Sequence, residues 1–466
     1  MYDIWVNKEV VHSVPNDKLI FNILSKNQKS NVKTDVEMLW RRFGKLHVSD
    51  IIEDLLIIGI SVFSVDKRLS RRISEDNWSR SINVHVPVIE LEKWLSVKAE
   101  LEELLSFLSG DHWTFHFRKS KEKLRGNKLN NRYELIDGSQ FDCVSLFSGG
   151  LDSFAGALTI LEKHQNPIFV GFREYSSLTR IQADLINAIK KSYNKQNIDF
   201  IPFNVSPRKP LNAGDRDIYH ENTSRSRSFL FIVGAVAVAS SIGDNAPVYI
   251  PENGFIGINV PLTQSRSGSC STRTTHPRFI SSLNWLFEEV GIKHKIVNFY
   301  SQKSKGEIVA EHKNNEVFRN HYKETISCAH PSQSRYDKIT PPTNCGYCYP
   351  CLIRKASLVS NGFIEDVYNF NYKLGKTFIE EYNSLVSKSS DLRALLYAVR
   401  RYIDNVHDDL FVPSILLSHG SLSLNEIKLY ERVYKQSMHE LIEMIKYEEK
   451  QHKDGLLEYL GWKGNK

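Results

Sequence analysis

The sequence predicts an α/β protein: a doubly wound parallel sheet over residues 139–360, preceded by a small α+β domain over 1–138 and followed by a helical region over 361–466. Three observations carry this. From about residue 140, short apolar runs alternate with segments of helical period, the pattern of parallel strands joined by helices on both faces. The stretch Asp142-Cys143-Val144-Ser145-Leu146-Phe147-Ser148-Gly149-Gly150-Leu151-Asp152-Ser153 breaks a strand-like run at two glycines and resumes at helical spacing, so it reads as strand, loop, helix. Three cysteines then fall within seven residues, Cys345, Cys348 and Cys351, with Cys328 upstream and helical periodicity after them.

In the N-terminal domain, residues 49–65 carry apolar residues at helical spacing, 82–86 alternate like a strand, 88–108 read as an amphipathic helix and 113–117 alternate again. Residues 119–131 (KSKEKLRGNKLNN) are polar and basic with nothing to bury, and the domain linker is placed there. The first residues show neither a basic n-region nor an apolar h-region, so a cytoplasmic rather than a secreted protein is expected. The longest apolar run, 229–239, is well short of the ~20 residues that span a bilayer and predicts a buried helix. With 466 residues, 41% hydrophobic and 25% charged, the chain can build two or three domains with a proper core. A net charge of +7 is compatible with anionic substrates or nucleic acid and requires neither. Six cysteines in so long a chain, three of them clustered, point to metal ligation in a reducing compartment and away from a disulfide framework.

The central domain has expected strands at 143–147, 168–172, 200–204, 248–250 and 296–299, with helices at 154–162, 179–193, 229–240 and 279–290. In such sheets ligands gather where strands end and helices begin. At Ser148-Gly149-Gly150 the glycines admit positive φ and close approach of a ligand, and the N–H groups and dipole of the helix start favour an anion. Ser148 and Ser153 add hydroxyls. Asp152, placed on an exposed loop, would repel bound phosphate unless a divalent cation sat between them, so magnesium is expected.

Four further stretches enter the expected site. Arg173 could meet a phosphate or simply pair with Glu174. Arg227 opens a helix, where a guanidinium opposes the dipole unless an anion is bound, which makes it the phosphate-binding candidate outside the loop. Glu252 follows a strand, with Phe255 available for stacking on a flat heterocycle; Arg273, Thr275 and His276 precede a helix and could hydrogen-bond the edges of that heterocycle. The Cys-x2-Cys-x2-Cys run with Cys328 supplies the four soft ligands of tetrahedral zinc, His330 being the rival fourth ligand; the continuation an iron–sulfur cluster uses is missing. Beyond Leu352 the periods at 352–359, 367–386, 392–406 and 424–449 predict helices for packing or for a partner protein.

Ser148-Gly149-Gly150-Leu151-Asp152-Ser153 resembles the SGGxDS pyrophosphate loop of the N-type ATP pyrophosphatases. With the cysteine run about 180 residues on, residues 140–360 resemble the QueC family, the 7-cyano-7-deazaguanine synthases. Arg227-Ser228 is similar to that family's Arg-Asn helix start, with serine replacing asparagine. The resemblance implies a HUP-like fold, ATP held by residues 148–153, Mg2+ and Zn2+, and catalytic roles for Asp152, Ser153 and Arg227. It further implies an ATP-dependent C–N ligase that adenylates 7-carboxy-7-deazaguanine and passes it to an amine. The added N-terminal domain and helical tail resemble QueC-like proteins of bacterial antiphage operons of the Qat type, for which the acceptor is ammonia or the amine of a partner protein encoded in the same operon. Two other readings stay open: a tRNA-modifying ATP pyrophosphatase, and a non-catalytic nucleotide-binding scaffold of a defence complex.

Overall fold

The computed structural model describes residues 2–8, 17–23, 30–124, 134–174, 176–213, 221, 224–262, 273–332, 335, 340–364, 377–383, 389–418 and 420–461. Strands β1 (Tyr2–Asn7), β2 (Leu19–Asn22), β4 (Ser81–Val88) and β5 (His112–Lys119) form a sheet in the order β2-β1-β4-β5, while the short β3 (Val32–Thr34) pairs antiparallel with β9 (Val205–Pro207). All three pairings in the four-stranded sheet are parallel, so the unit expected to be α+β is α/β. Parallel neighbours need crossovers. Those leading into β4 and β5 are supplied by the helix Asp50–Arg68 and by two helices, Leu91–Ser96 and Lys98–Ser109, which divide at Val97 the single helix expected over 88–108. Part of the expected linker, 125–133, lies outside the described residues.

The helix Asp50–Arg68 is buried continuously from Ile52 to Asp66, more than a one-sided surface helix needs. It is buried because it lies against the N-terminal sheet and against the equally apolar helix Arg227–Ile242, which covers the central sheet. One apolar core therefore runs from Ile4 and Val84 through Leu55, Val233 and Ala237 to Val144 and Ile296, across the boundary read between 138 and 139. Among the described residues no helix is long and apolar enough to cross a membrane; the run 229–239 lies in this core helix.

The central sheet orders β6 (Cys143–Leu146), β7 (Pro167–Phe172), β8 (Asp199–Phe203), β10 (Val248–Tyr249) and β11 (Ile296–Val297) as β11-β10-β6-β7-β8, all parallel. Chain direction across the sheet reverses between β6 and β10. This is the switch point, where in sheets of this kind the loops leaving two neighbouring strands diverge and ligands are bound. The tail adds the helices Phe378–Asn383, Ser390–Asp404, Phe411–Leu417, Leu424–His452 and Leu456–Tyr459. Their core joins Phe255 and Leu352 of the central domain. Most of the helix expected at 367–386 lies outside the described residues.

A buried ion network ties the two α/β units together. Arg80 reaches Asp66 at 2.7 Å and Asp111 at 2.5 Å, Arg71 reaches them at 2.9 and 2.8 Å, and Asp66 also accepts the backbone N–H of Ser226 at 2.8 Å. Burial alone would raise the Asp66 carboxyl, but Arg80 and Arg71 hold it far below the ordinary range. Asp66→Asn should therefore cost about 3–5 kcal/mol, since it leaves Arg80 buried against a halved partner set. A group with a depressed folded pKa stabilises fully above its unfolded value of about 3.9 and loses that contribution as pH falls towards the folded one. Denaturant unfolding between pH 7 and pH 3 should accordingly show a shallower acid loss in the variant; equal slopes would contradict the assignment.

Candidate functional site

Strand β6 is fully buried, and the chain leaves it at Phe147, at the switch point of the sheet. Gly149 takes φ +83°, which a side chain rarely adopts, and turns the chain so that Gly150 caps the helix Leu151–Glu162. The turn is held from several sides. Gln182 donates to the Phe147 and Ser148 carbonyls at 3.2 and 3.1 Å, the Ser148 hydroxyl lies 3.1 Å from that of Ser153, and Ser153 donates to the Gly150 carbonyl at 3.0 Å. Ser148 is exposed and Ser153 is buried. The loop is thus set in shape, with its outer hydroxyl open to a ligand.

Asp152 is not on an exposed loop. It occupies the first turn of the helix and is 6% exposed. Its Oδ2 accepts from Asn253 Nδ2 at 2.7 Å and its Oδ1 faces Lys305 Nζ at 3.0 Å, both partners being buried. Asn253 also donates to Glu252 Oε1 at 2.9 Å, which brings a second carboxyl to the same point. Burial would raise Asp152, but Lys305 and the hydrogen bonds from Glu252 and Asn253 hold it below the usual carboxylate range. Glu252, buried beside that charge, is pushed well above its ordinary value. Lys305 already places a cation of the chain at Asp152, and Oδ1 accepts no hydrogen bond among the described residues beyond that ion pair, so the magnesium expected there would share this carboxylate with the ammonium.

The cysteines assemble as expected. The sulfurs of Cys328, Cys345, Cys348 and Cys351 all lie within 4.8 Å of one another, with Cys328–Cys348 at 3.8 Å and Cys345–Cys351 at 4.0 Å. A tetrahedron with metal–sulfur arms of about 2.3 Å has edges of about 3.8 Å, so this donor set could hold a metal such as zinc. Backbone N–H groups of Cys348, Ala329 and His330 donate to the Cys345, Cys348 and Cys328 sulfurs at 3.3, 3.4 and 3.3 Å, which favours thiolates. His330 contributes that N–H while the residue itself is exposed, so the fourth position belongs to Cys328. The cluster abuts the loop: Ile326 N–H donates to the Gly149 carbonyl at 2.9 Å and Leu151 N–H to the Ser327 hydroxyl at 3.3 Å.

Other expected site residues are placed elsewhere. Arg227 pairs with Glu174, and the backbone at its helix start is capped by Asp66, so carboxylates of the chain supply the anion that the positive helix end needs. Arg173 pairs with Asp35. Phe255 is 1% exposed and packs between Tyr349 and Tyr434, a core position closed to stacking on a ligand. Arg273 lies over the Phe107 ring at 4.8 Å, and His276 caps the helix Pro277–Glu289 through Nδ1 with its ring against the same Phe107. Thr275 backs Gly257. Of the five residues expected around a heterocycle, only Glu252 stands with the loop, because Phe255, Arg273 and His276 pack against the tail or the N-terminal domain and Thr275 packs on Gly257; residues 263–272 lie outside the described set.

Sequence reasoning missed Asn253, Lys305, Gln182 and Ser327. Lys305 was accessible to it. Ser304-x-x-Glu307 is a capping-box pattern that puts Lys305 at the first helical position, where a cation opposes the dipole as Arg227 does. No protein-family model, no curated protein and no solved structure matches this chain.

Proposed function

We propose that the chain is a QueC-like adenylate-forming enzyme that activates a 7-deazaguanine carboxylate, 7-carboxy-7-deazaguanine, and transfers it to an amine of ammonia or of a partner protein in bacterial antiphage defence. A carboxylate oxygen attacks the α-phosphorus of ATP, the bond to the bridging oxygen breaks, and pyrophosphate leaves. The amine nitrogen then attacks the acyl carbon, AMP departs with the C–O electron pair, and the amine loses a proton. Such chemistry asks the protein for positioning and charge, with no covalent nucleophile.

The observation that carries this reading is the position of the Ser148–Ser153 loop at the switch point, with the buried Lys305–Asp152 pair in its first turn and the four-cysteine cluster hydrogen-bonded behind it. Lys305 is the residue assigned to meet the charge that develops on the α-phosphate and the leaving pyrophosphate. A four-thiolate zinc would hold residues 325–351 against the loop, a structural task.

The test is pyrophosphate release from ATP by the purified chain, offered 7-carboxy-7-deazaguanine, guanine or bulk tRNA, with and without ammonia. Release is expected only with the carboxylated base, because unpaired site groups cost on the order of 1–3 kcal/mol each when guanine replaces it. Mass spectrometry of the products then separates amide or nitrile from a protein conjugate. Stimulation by tRNA and not by the acid would overturn the substrate and favour an RNA-modifying enzyme.

A further inference from the structure

We infer that the tail helix Leu424–His452 is a working part of the site, and that its Glu440 is a positioning residue holding Lys305 against Asp152. This deepens the adenylation reading, on which the catalytic part of the inference rests. Glu440 is 2% exposed and accepts from both residues that flank Lys305: the Ser304 hydroxyl, and the Gly306 N–H at 3.0 Å. The approach is so close that a Cβ on Gly306 would fall 2.4 Å from the Glu440 carboxyl carbon, so a side chain there would push that carboxylate away.

The grip extends along one face of the helix, at i, i+4 and i+8. Arg432 binds Glu307 at 2.5 Å and the Gln302 carbonyl, and Gln436 donates to Glu440 at 3.4 Å. Two turns on, Glu448 pairs with Lys355 at 2.7 Å on the helix Tyr349–Val359 that carries Cys351. One rigid element thus spans from the segment bearing Lys305 to the cysteine cluster. Packing alone does not account for Glu440: a buried carboxylate with no cationic partner among the described residues is poor filler, and an apolar side chain would serve a merely structural contact better.

The experiment compares full-length wild type with Glu440→Ala, Glu440→Gln and, as control, Glu443→Gln, whose carboxylate pairs with Lys446 at 3.0 Å on the outer face. Three quantities are read: the rate at which an amine-acylating reagent labels Lys305 by peptide mass spectrometry, kcat and KM for pyrophosphate release, and the thermal midpoint. Glu440→Ala is expected to quicken Lys305 labelling and to lower kcat roughly ten- to a hundredfold, with KM for ATP changed less than about threefold, the signature of a displaced reacting group. Glu440→Gln, which can still accept from Gly306 and donate to Ser304, should restore most of both. Labelling in Glu440→Ala as slow as in wild type, or a glutamine variant as impaired as the alanine one, overturns the inference. If wild type releases no pyrophosphate, the adenylation reading fails while the labelling rates still decide the clamp. Should Glu440→Ala not fold, Ser304→Ala removes one of the two contacts and is read in the same way.

Discussion

Cys348→Ser is expected to lose the metal and the shape of the loop at Ser148–Ser153 together. Wild type should carry about one zinc per chain, and the variant close to none, since a three-thiolate remnant gives up most of the binding free energy that a closed site contributes to folding, about 10–16 kcal/mol for small zinc domains. In so large a chain the damage should stay local at first. It travels along two hydrogen bonds, Ile326 to Gly149 and Leu151 to Ser327, and through Arg354, which is fully buried and donates to the Tyr322 carbonyl at 2.7 Å and to Ser327 at 3.4 Å. Hydrogen exchange should therefore rise at the amides of Gly149 to Leu151 and in residues 325–351, with the N-terminal sheet unchanged. Removal of the metal by a chelator should reproduce the pattern. Unaltered zinc content in Cys348→Ser would rule out the four-cysteine assignment.

Asp152→Asn should abolish pyrophosphate release and, contrary to what an exposed loop residue predicts, should also destabilise the fold. The variant leaves the Lys305 ammonium buried at 3% exposure without its carboxylate, a situation that costs about 3–5 kcal/mol when one partner of a buried pair is removed. Lys305→Met should be comparably costly, because Asp152 then stays buried without its cation and is left to its hydrogen bonds with Asn253 and Glu252. Asp152→Asn combined with Lys305→Met removes both charges and should recover most of the stability of either single variant while remaining inactive. Thermal or denaturant unfolding of the four proteins, with pyrophosphate release measured alongside, gives the coupling energy directly. Additive losses would show that the two groups do not interact, and activity in the double variant would remove Lys305 and Asp152 from the chemistry.

What the chain itself determined was local. The run from Cys143 to Glu162 spells strand, turn and helix because burial on both faces leaves a continuous apolar run and a helix leaves a 3.6-residue period, and both marks survive in a single sequence. Cys345, Cys348 and Cys351 could be read as ligands because a metal site imposes short spacings on the residues that reach it. The N-terminal sheet was misread as α+β because alternation along 82–86 and 113–117 reports one covered face and is silent on the direction of the neighbouring strand.

Tertiary structure alone decided the partners. That Arg227 meets Glu174, that Phe255 faces Tyr434 and that Lys305 stands against Asp152 depend on surfaces that meet only after the sheet has closed and the tail helix has docked. Charge at a helix start announces that an anion is needed and leaves its source open, since a carboxylate from a distant segment satisfies the same field as a bound phosphate. The same physics hid Glu440: one glutamate among several on an amphipathic helix carries no local sign of its partners, and Gly306, having no side chain, lets its carboxylate close on the Gly306 N–H and the Ser304 hydroxyl on either side of Lys305.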